Sequence, residues 1–157
     1  MEELQKLRTF VEKGKYADAL EIIDELEEMS VEDKLNRISS HCVILLLHLI
    51  KQKVEQRTTK SWDASIANAV FEINKTNRRR RSKGSYATDK ILLEIVEEAM
   101  PVAITKAAAD IANGTMEMSD IIRVIKKDLL KKEVLGLLKG KHNKMAESFM
   151  NRGAKKE

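Results

Sequence analysis

A run of thirteen residues without a charged side chain, from Ile38 to Ile50, constrains the fold of this chain most. Apolar residues recur at alternating spacings of four and three through and before this run, which is the period of an α-helix with one apolar face. They are Val31, Leu35, Ile38, Cys42, Leu45 and Leu49. The pattern predicts a long central helix over about Val31–Val54. The run is shorter than the roughly 20 apolar residues that a membrane span needs.

The rest of the composition also favours helices. Only one proline and six glycines interrupt 157 residues, and 43% of the residues are hydrophobic, which is enough for one core. We therefore predict an all-α protein: a single-domain helical bundle of five to seven helices over residues 1–140. Residues 141–157 are predicted to form a short basic helix or tail.

Capping residues predict where the helices begin and end. Serine and threonine favour the N-cap position because their hydroxyl groups accept hydrogen bonds from unpaired backbone N–H groups. Gly14 is predicted to end the first helix, and Pro101 predicts a kink or a break near Met100. The predicted N-caps are Ser30, Ser61, Thr88 and Ser119.

The only cysteine of the chain indicates the cellular compartment of the protein. Cys42 has no partner for an internal disulfide and lies within the apolar run, which is typical of a buried thiol in a reducing compartment. The first residues have neither the basic start nor the apolar core of a secretory signal. These features predict a cytoplasmic protein.

The net charge of +4 conceals an asymmetry along the chain. Residues 1–33 hold eleven acids against four bases, whereas residues 72–83 hold six bases against one acid. Such a separation can steer a polyanion, hold the two ends of one fold together, or drive head-to-tail contacts between copies. Homo-oligomerisation is therefore one of the predicted alternatives.

The basic segment is the strongest surface signal, and we predict it to be a linker between helices. It can be a solvated run that complements a helix dipole, a site for nucleic-acid phosphates, or a site for an acidic protein surface. A nucleic-acid contact would be directed to the backbone, since Tyr86 is the only ring predicted nearby. The predicted binding residues are Lys75, Arg78, Arg79, Arg80, Arg81 and Lys83.

Arg37 and His41 suggest an alternative, catalytic hypothesis. They share the polar face of the central helix, and they resemble the arginine–histidine pair of small helical nuclease toxins, which implies metal-independent cleavage of RNA. Three residues separate the pair here, whereas the toxins have four to six. His41 and His48 lie seven residues apart, roughly 10 Å along a helix, which is too far to share one ion. We predict no metal and no cofactor.

The segment Leu46–Lys51 and the later segment Ser61–Ile66 carry a family resemblance. With the acidic helix before them, they resemble the family named "domain of unknown function twenty-nine" over about residues 5–75, while the second half departs from the family pattern. The resemblance implies a small all-helical protein without an established activity. The motif residues, which we interpret as structural, are His48, Lys51, Ser61, Trp62, Ser65 and Ile66.

The motif predicts a specific contact between two helices. Trp62 should pack against the central helix near His48, and His48 should bond either the indole nitrogen or a backbone carbonyl. No other motif indicates a reaction. We therefore predict a non-enzymatic binding or regulatory module that contacts nucleic acid or an acidic protein. The alternatives are a toxin-type ribonuclease and a self-assembling structural or adaptor protein.

Overall fold

The computed structural model describes residues 2–79 and 83–141. This part of the chain is all-α, as predicted, and contains no strand. None of its helices is long and apolar enough to cross a membrane. Its six α-helices are α1 Glu2–Glu12, α2 Tyr16–Glu55, α3 Lys60–Asn77, α4 Asp89–Asp110, α5 Met118–Val124 and α6 Lys127–Gly136. Most of the predicted C-terminal helix or tail lies outside the described residues.

The chain forms two compact units, Met1–Asn36 and Arg37–Glu157. In the first unit, Gly14 ends α1 as predicted, with a φ of +71°. The Gly14 N–H donates to the Val11 carbonyl, and the Lys15 N–H donates to the Phe10 carbonyl. These two bonds form a Schellman motif, in which glycine avoids the steric cost of the left-handed conformation.

The predicted helix boundary at Ser30 is wrong, because α2 is continuous from Tyr16 to Glu55. No glycine or proline interrupts these 40 residues. Ser30 is exposed within the helix, where serine costs only about 0.5 kcal/mol relative to alanine. A single exposed serine therefore does not end a helix whose neighbours favour it.

The second unit packs its core around the predicted apolar face of α2. Buried side chains of α3, α4, α5 and α6 complete this core. Full burial of one such aliphatic side chain contributes about 1.5–3 kcal/mol. Within the second unit, the buried core residues of α2 are Ile38, Cys42, Leu45, Leu46, Leu49 and Ile50.

Of the predicted N-caps of α3 and α4, one is confirmed and the other is wrong. Thr88 caps α4 as predicted, since its hydroxyl accepts from the Ile91 N–H at 3.3 Å. Ser61 does not cap α3; Thr59 does, and accepts from the Trp62 N–H at 3.0 Å. Both hydroxyl residues precede the same apolar stripe, so the spacing alone does not distinguish them.

Helix α4 continues through Pro101 without the break that was one of the two predicted outcomes. A proline within a helix costs about 3 kcal/mol or more. Buried side chains on both sides of Pro101, from Leu92 to Met100 and from Ala103 to Ala107, offset that cost because they hold one helix against the core.

The apolar pattern after Ser119 continues to Leu138 and favours one helix, but α5 and α6 are separated at Ile125, whose backbone is extended. In one straight helix, Asp128 and Lys132 would share a face with Ile121 and Ile125. The break shifts the register, so that apolar residues take the inward positions instead. The residues buried on the two sides of the break are Ile121, Ile125, Leu130 and Val134.

The start of α5 also differs from the prediction. Glu117, not Ser119, occupies the N-cap position. The Glu117 N–H donates to the Asp120 carboxylate at 3.1 Å, which forms a reciprocal capping box. Ser119 lies exposed in the first turn.

The burial of Cys42 gives a test of the core. Burial raises the pKa of this thiol to about 12. We expect the native protein at pH 8 to react with a disulfide reagent far more slowly than the unfolded chain, since the thiolate is the nucleophile. The folded pKa lies above the unfolded value of about 8.5, so the free energy of unfolding should fall as pH rises from about 8.5 to 12. The chain has one cysteine, so fast labelling of the native protein would contradict the burial.

Candidate functional site

The basic segment connects α3 to α4, as the linker prediction expected, and backbone hydrogen bonds join the residues on its two sides. The Tyr86 N–H donates to the Asn77 carbonyl at 2.9 Å, and the Arg79 N–H donates to the Gly84 carbonyl at 3.2 Å. Arg78 and Ser85 form an isolated antiparallel bridge between these bonds. We call residues 78–85 the basic loop. Its two ends are joined at the body of the protein.

Asn77 anchors the basic loop. Its side-chain oxygen accepts from the Ala87 N–H at 2.7 Å, and its side-chain nitrogen lies 3.3 Å from the Ala87 carbonyl, to which it donates. Both residues are buried. Because an unpaired buried amide is costly, this reciprocal pairing favours one arrangement of the chain between α3 and α4.

The cations of the basic loop and the adjacent end of α3 point to solvent. Lys75, Arg78, Arg79 and Lys83 are all exposed, whereas Arg80 and Arg81 lie outside the described residues. Within the described part of the chain, no carboxylate lies within 4.0 Å of these four charges. Their charge is therefore not neutralised by nearby acids.

Two aromatic rings flank these cations. The Arg79 guanidinium lies 4.9 Å from the ring centroid of Tyr86, and its Nε donates to the Ser85 carbonyl. The Lys75 ammonium lies 5.9 Å from the ring centroid of Phe71, whose side chain is 60% exposed. Phe71 was missed in the sequence, although its spacing of four from Lys75 on one helix places the two residues on one face.

This arrangement can bind phosphate groups. A guanidinium presents a planar fork of N–H donors that matches phosphate oxygens, and a lysine supplies a point charge. Tyr86 already has a guanidinium over its ring, so one stacking surface for a base is partly occupied. The geometry therefore favours contacts to a phosphate backbone over contacts to bases.

Trp62 lies at the centre of a separate cluster, which includes Lys51 of the family motif. The Lys51 ammonium and the Arg57 guanidinium lie 5.8 and 4.8 Å from the centroid of the half-buried indole ring. Lys51 is only 15% exposed and pairs with Asp110 at 3.1 Å. These contacts connect α2, α3 and the end of α4 through one lysine.

Polar contacts fix the loop before α3. The Thr58 hydroxyl donates to Asp63 at 2.7 Å, and the Gln52 amide donates to both residues. His48 Nδ1 lies 2.8 Å from the Ile44 carbonyl, so the histidine bonds a backbone carbonyl, which is one of the two predicted partners.

The remaining motif residues occupy unlike environments on α3. Ser61 is exposed, Ser65 is half-buried and Ile66 is buried in the core. Ser61 and Ser65 are four residues apart and share one side of the helix, whereas Ile66 faces the core. The motif therefore brings together Lys51 and Trp62, but it does not form a cleft lined by all of its members.

The Arg37–His41 pair lies one helical turn apart on α2. Arg37 is exposed, while His41 is half-buried. The Nδ1 atom of His41 is buried and has no hydrogen-bond partner among the described residues. Across residues 2–79 and 83–141, no three histidine, cysteine or acidic side chains converge as a metal site would require.

These features define an all-α protein with a cation-rich loop and a motif that joins its helices. The sequence model described as "Domain of unknown function DUF29" matches residues 1–134, and the chain belongs to this family. The match extends beyond residues 5–75, on which the resemblance was based, and includes the basic loop, α4 and α5. No curated protein and no solved structure matches the chain.

The Trp62 cluster predicts the effect of a substitution. Trp62→Ala should lower the free energy of unfolding by about 2–3 kcal/mol, because the ring is half-buried and contacts two cations. Urea denaturation measures this change. Phe71→Ala, which removes an exposed ring from the same helix, should stay within about 0.5 kcal/mol of the wild type. Equal stabilities of the two variants would contradict the packing role of Trp62.

Proposed function

We propose that this protein is a non-enzymatic binding module whose basic loop contacts the phosphate backbone of nucleic acid. The observation that carries the proposal is the set of exposed cations that have no carboxylate partner among the described residues, next to the Asn77 anchor. Anchoring matters because a preorganised loop loses less conformational entropy when it binds.

The density of positive charge favours nucleic acid over an acidic protein surface. Residues 75–83 carry six bases and no acid over nine positions. Duplex DNA presents one negative charge per about 1.7 Å of its axis, a density that folded proteins do not match. Contacts of this kind position a protein on a strand without reading its sequence. A cytoplasmic location, where Cys42 stays reduced and RNA is abundant, fits this role.

The salt dependence of binding tests the proposal. If the four described cations contact phosphates of a duplex, the logarithm of affinity should fall with the logarithm of salt with a slope of about −4. Affinity should then drop on the order of a hundredfold between 50 and 200 mM salt. Fluorescence anisotropy with a labelled duplex of generic sequence measures this slope.

A matched pair of variants locates the contact. Arg78→Ser/Arg79→Ser should weaken binding and reduce the magnitude of the slope by about 2. Lys60→Ser/Lys106→Ser removes the same charge from exposed positions on α3 and α4, and it should leave the slope nearly unchanged. Equal losses in both variants, or no binding by the wild type at 50 mM salt, would contradict the proposal. Circular dichroism checks that both variants fold.

The proposal also predicts that bound RNA stays intact. End-labelled RNA incubated with the protein should keep its length over hours, since no described residue is given a catalytic role. Cleavage that disappears in His41→Ala, but persists in Arg78→Ser/Arg79→Ser, would replace the binding module with the ribonuclease hypothesis.

A further inference from the structure

The two-helix unit of residues 2–36, which we call the acidic hairpin, leaves much of its apolar surface in water. Ala19 is its one buried residue among those described. Chains shorter than about 40 residues rarely bury enough apolar surface for a core of their own. Its exposed large apolar residues are Leu4, Val11, Tyr16, Leu20, Ile23 and Met29.

Part of this apolar surface is continuous. Tyr16, Leu20 and Ile23 follow the spacing i, i+4, i+7 and form one stripe on α2. Tyr16 is 66% exposed and Leu20 is 59% exposed. Contiguous exposed patches of large apolar side chains mark interaction surfaces on soluble proteins.

Acidic side chains accompany the stripe. Residues 1–36 carry eleven acids against five bases, a net charge of −6. The six acids nearest in sequence to the stripe are exposed, and none has an ion pair within 4.0 Å inside the described ranges. They are Asp18, Glu21, Asp24, Glu25, Glu27 and Glu28.

The complementary surface lies on α5 and α6. The register shift at Ile125 that buries Leu130 also leaves large apolar side chains outside the core. Four exposed bases accompany them, and no described carboxylate lies within 4.0 Å of these bases. We call this set the α5–α6 surface: Met118 and Ile122, which share one side of α5, and Leu129 of α6, with Arg123, Lys126, Lys127 and Lys132.

We propose that the acidic hairpin of one copy docks on the α5–α6 surface of a second copy. Each surface joins exposed apolar side chains to charges that have no ion pair within the described part of the chain, and the two signs are opposite. Pairing of two hairpins with each other would instead bring two charges of −6 together, which charge repulsion disfavours. The proposed contact is heterologous, so it generates rings or open chains of copies.

Self-association without nucleic acid tests this contact separately from the basic loop. In sedimentation velocity at 20 mM salt, the wild type should show species larger than a monomer that grow with protein concentration. Because the charges of the interface are exposed, the association should weaken by about tenfold at 500 mM salt. A monomer at every concentration in low salt would overturn the proposal.

Two double variants each remove one side of the contact. Tyr16→Ser/Leu20→Ser alters the acidic hairpin, and Ile122→Ser/Leu129→Ser alters the α5–α6 surface. Each alone should be monomeric, with association at least about tenfold weaker than in the wild type. An equimolar mixture should form a one-to-one dimer and nothing larger, since only one intact interface remains.

The mixture distinguishes the proposal from its rivals. Self-association of Ile122→Ser/Leu129→Ser alone would show that the acidic hairpin binds a surface other than the α5–α6 surface, and it would overturn the proposal. So would a mixture that stays monomeric while the wild type associates. Ile44 is an exposed apolar residue that belongs to neither surface. Ile44→Ser should therefore associate as the wild type does. Thermal unfolding checks that every variant folds.

Discussion

The burial of one face of α2 is the constraint on which the second unit depends. Six side chains between Ile38 and Ile50 are withdrawn from water, and α3 and α4 contribute their own apolar faces to the same core. Around this core, a single lysine, Lys51, contacts Trp62 and pairs with Asp110, 59 positions later in the chain. Two residues of the family motif, Lys51 and Trp62, thus lie at a junction of three helices.

The basic loop depends on the same core in a different way. Packing fixes the end of α3. Two hydrogen bonds between the Asn77 side chain and the Ala87 backbone then hold Ala87 next to this end. The described charges of the basic loop therefore lie next to the pair of Asn77 and Ala87. The described cations next to this anchor, Arg78, Arg79 and Lys83, are exposed to solvent.

The features that were predictable from the sequence are those with a local cause. The apolar period gave the face of α2, and Gly14 and Thr88 marked helix ends because a left-handed turn and an N-cap have few chemical solutions. Ser30, Ser61 and Ser119 failed as caps because a serine also fits an exposed helical position at small cost. Whether a helix begins at one of these serines depends on the packing of residues that are distant in sequence, which no local pattern contains.

The candidate site was likewise predictable only where its cause is local. The charge of residues 75–83 was evident from the sequence, but the loop geometry depends on the pairing of Asn77 with Ala87. The break between α5 and α6 was not predictable either, because it depends on whether Asp128 or Leu130 enters the core. Local patterns therefore indicated the chemistry of the surface, while its shape required the tertiary structure.

Backbone amide shifts during titration with a generic duplex test the central claim most directly. In a ¹⁵N-labelled sample at low salt, the largest changes should occur at the amides of Arg78, Arg79, Gly84 and Tyr86. The amides around Arg37 and His41 should stay unchanged. Changes centred on Arg37 and His41, or none at the basic loop, would contradict the account.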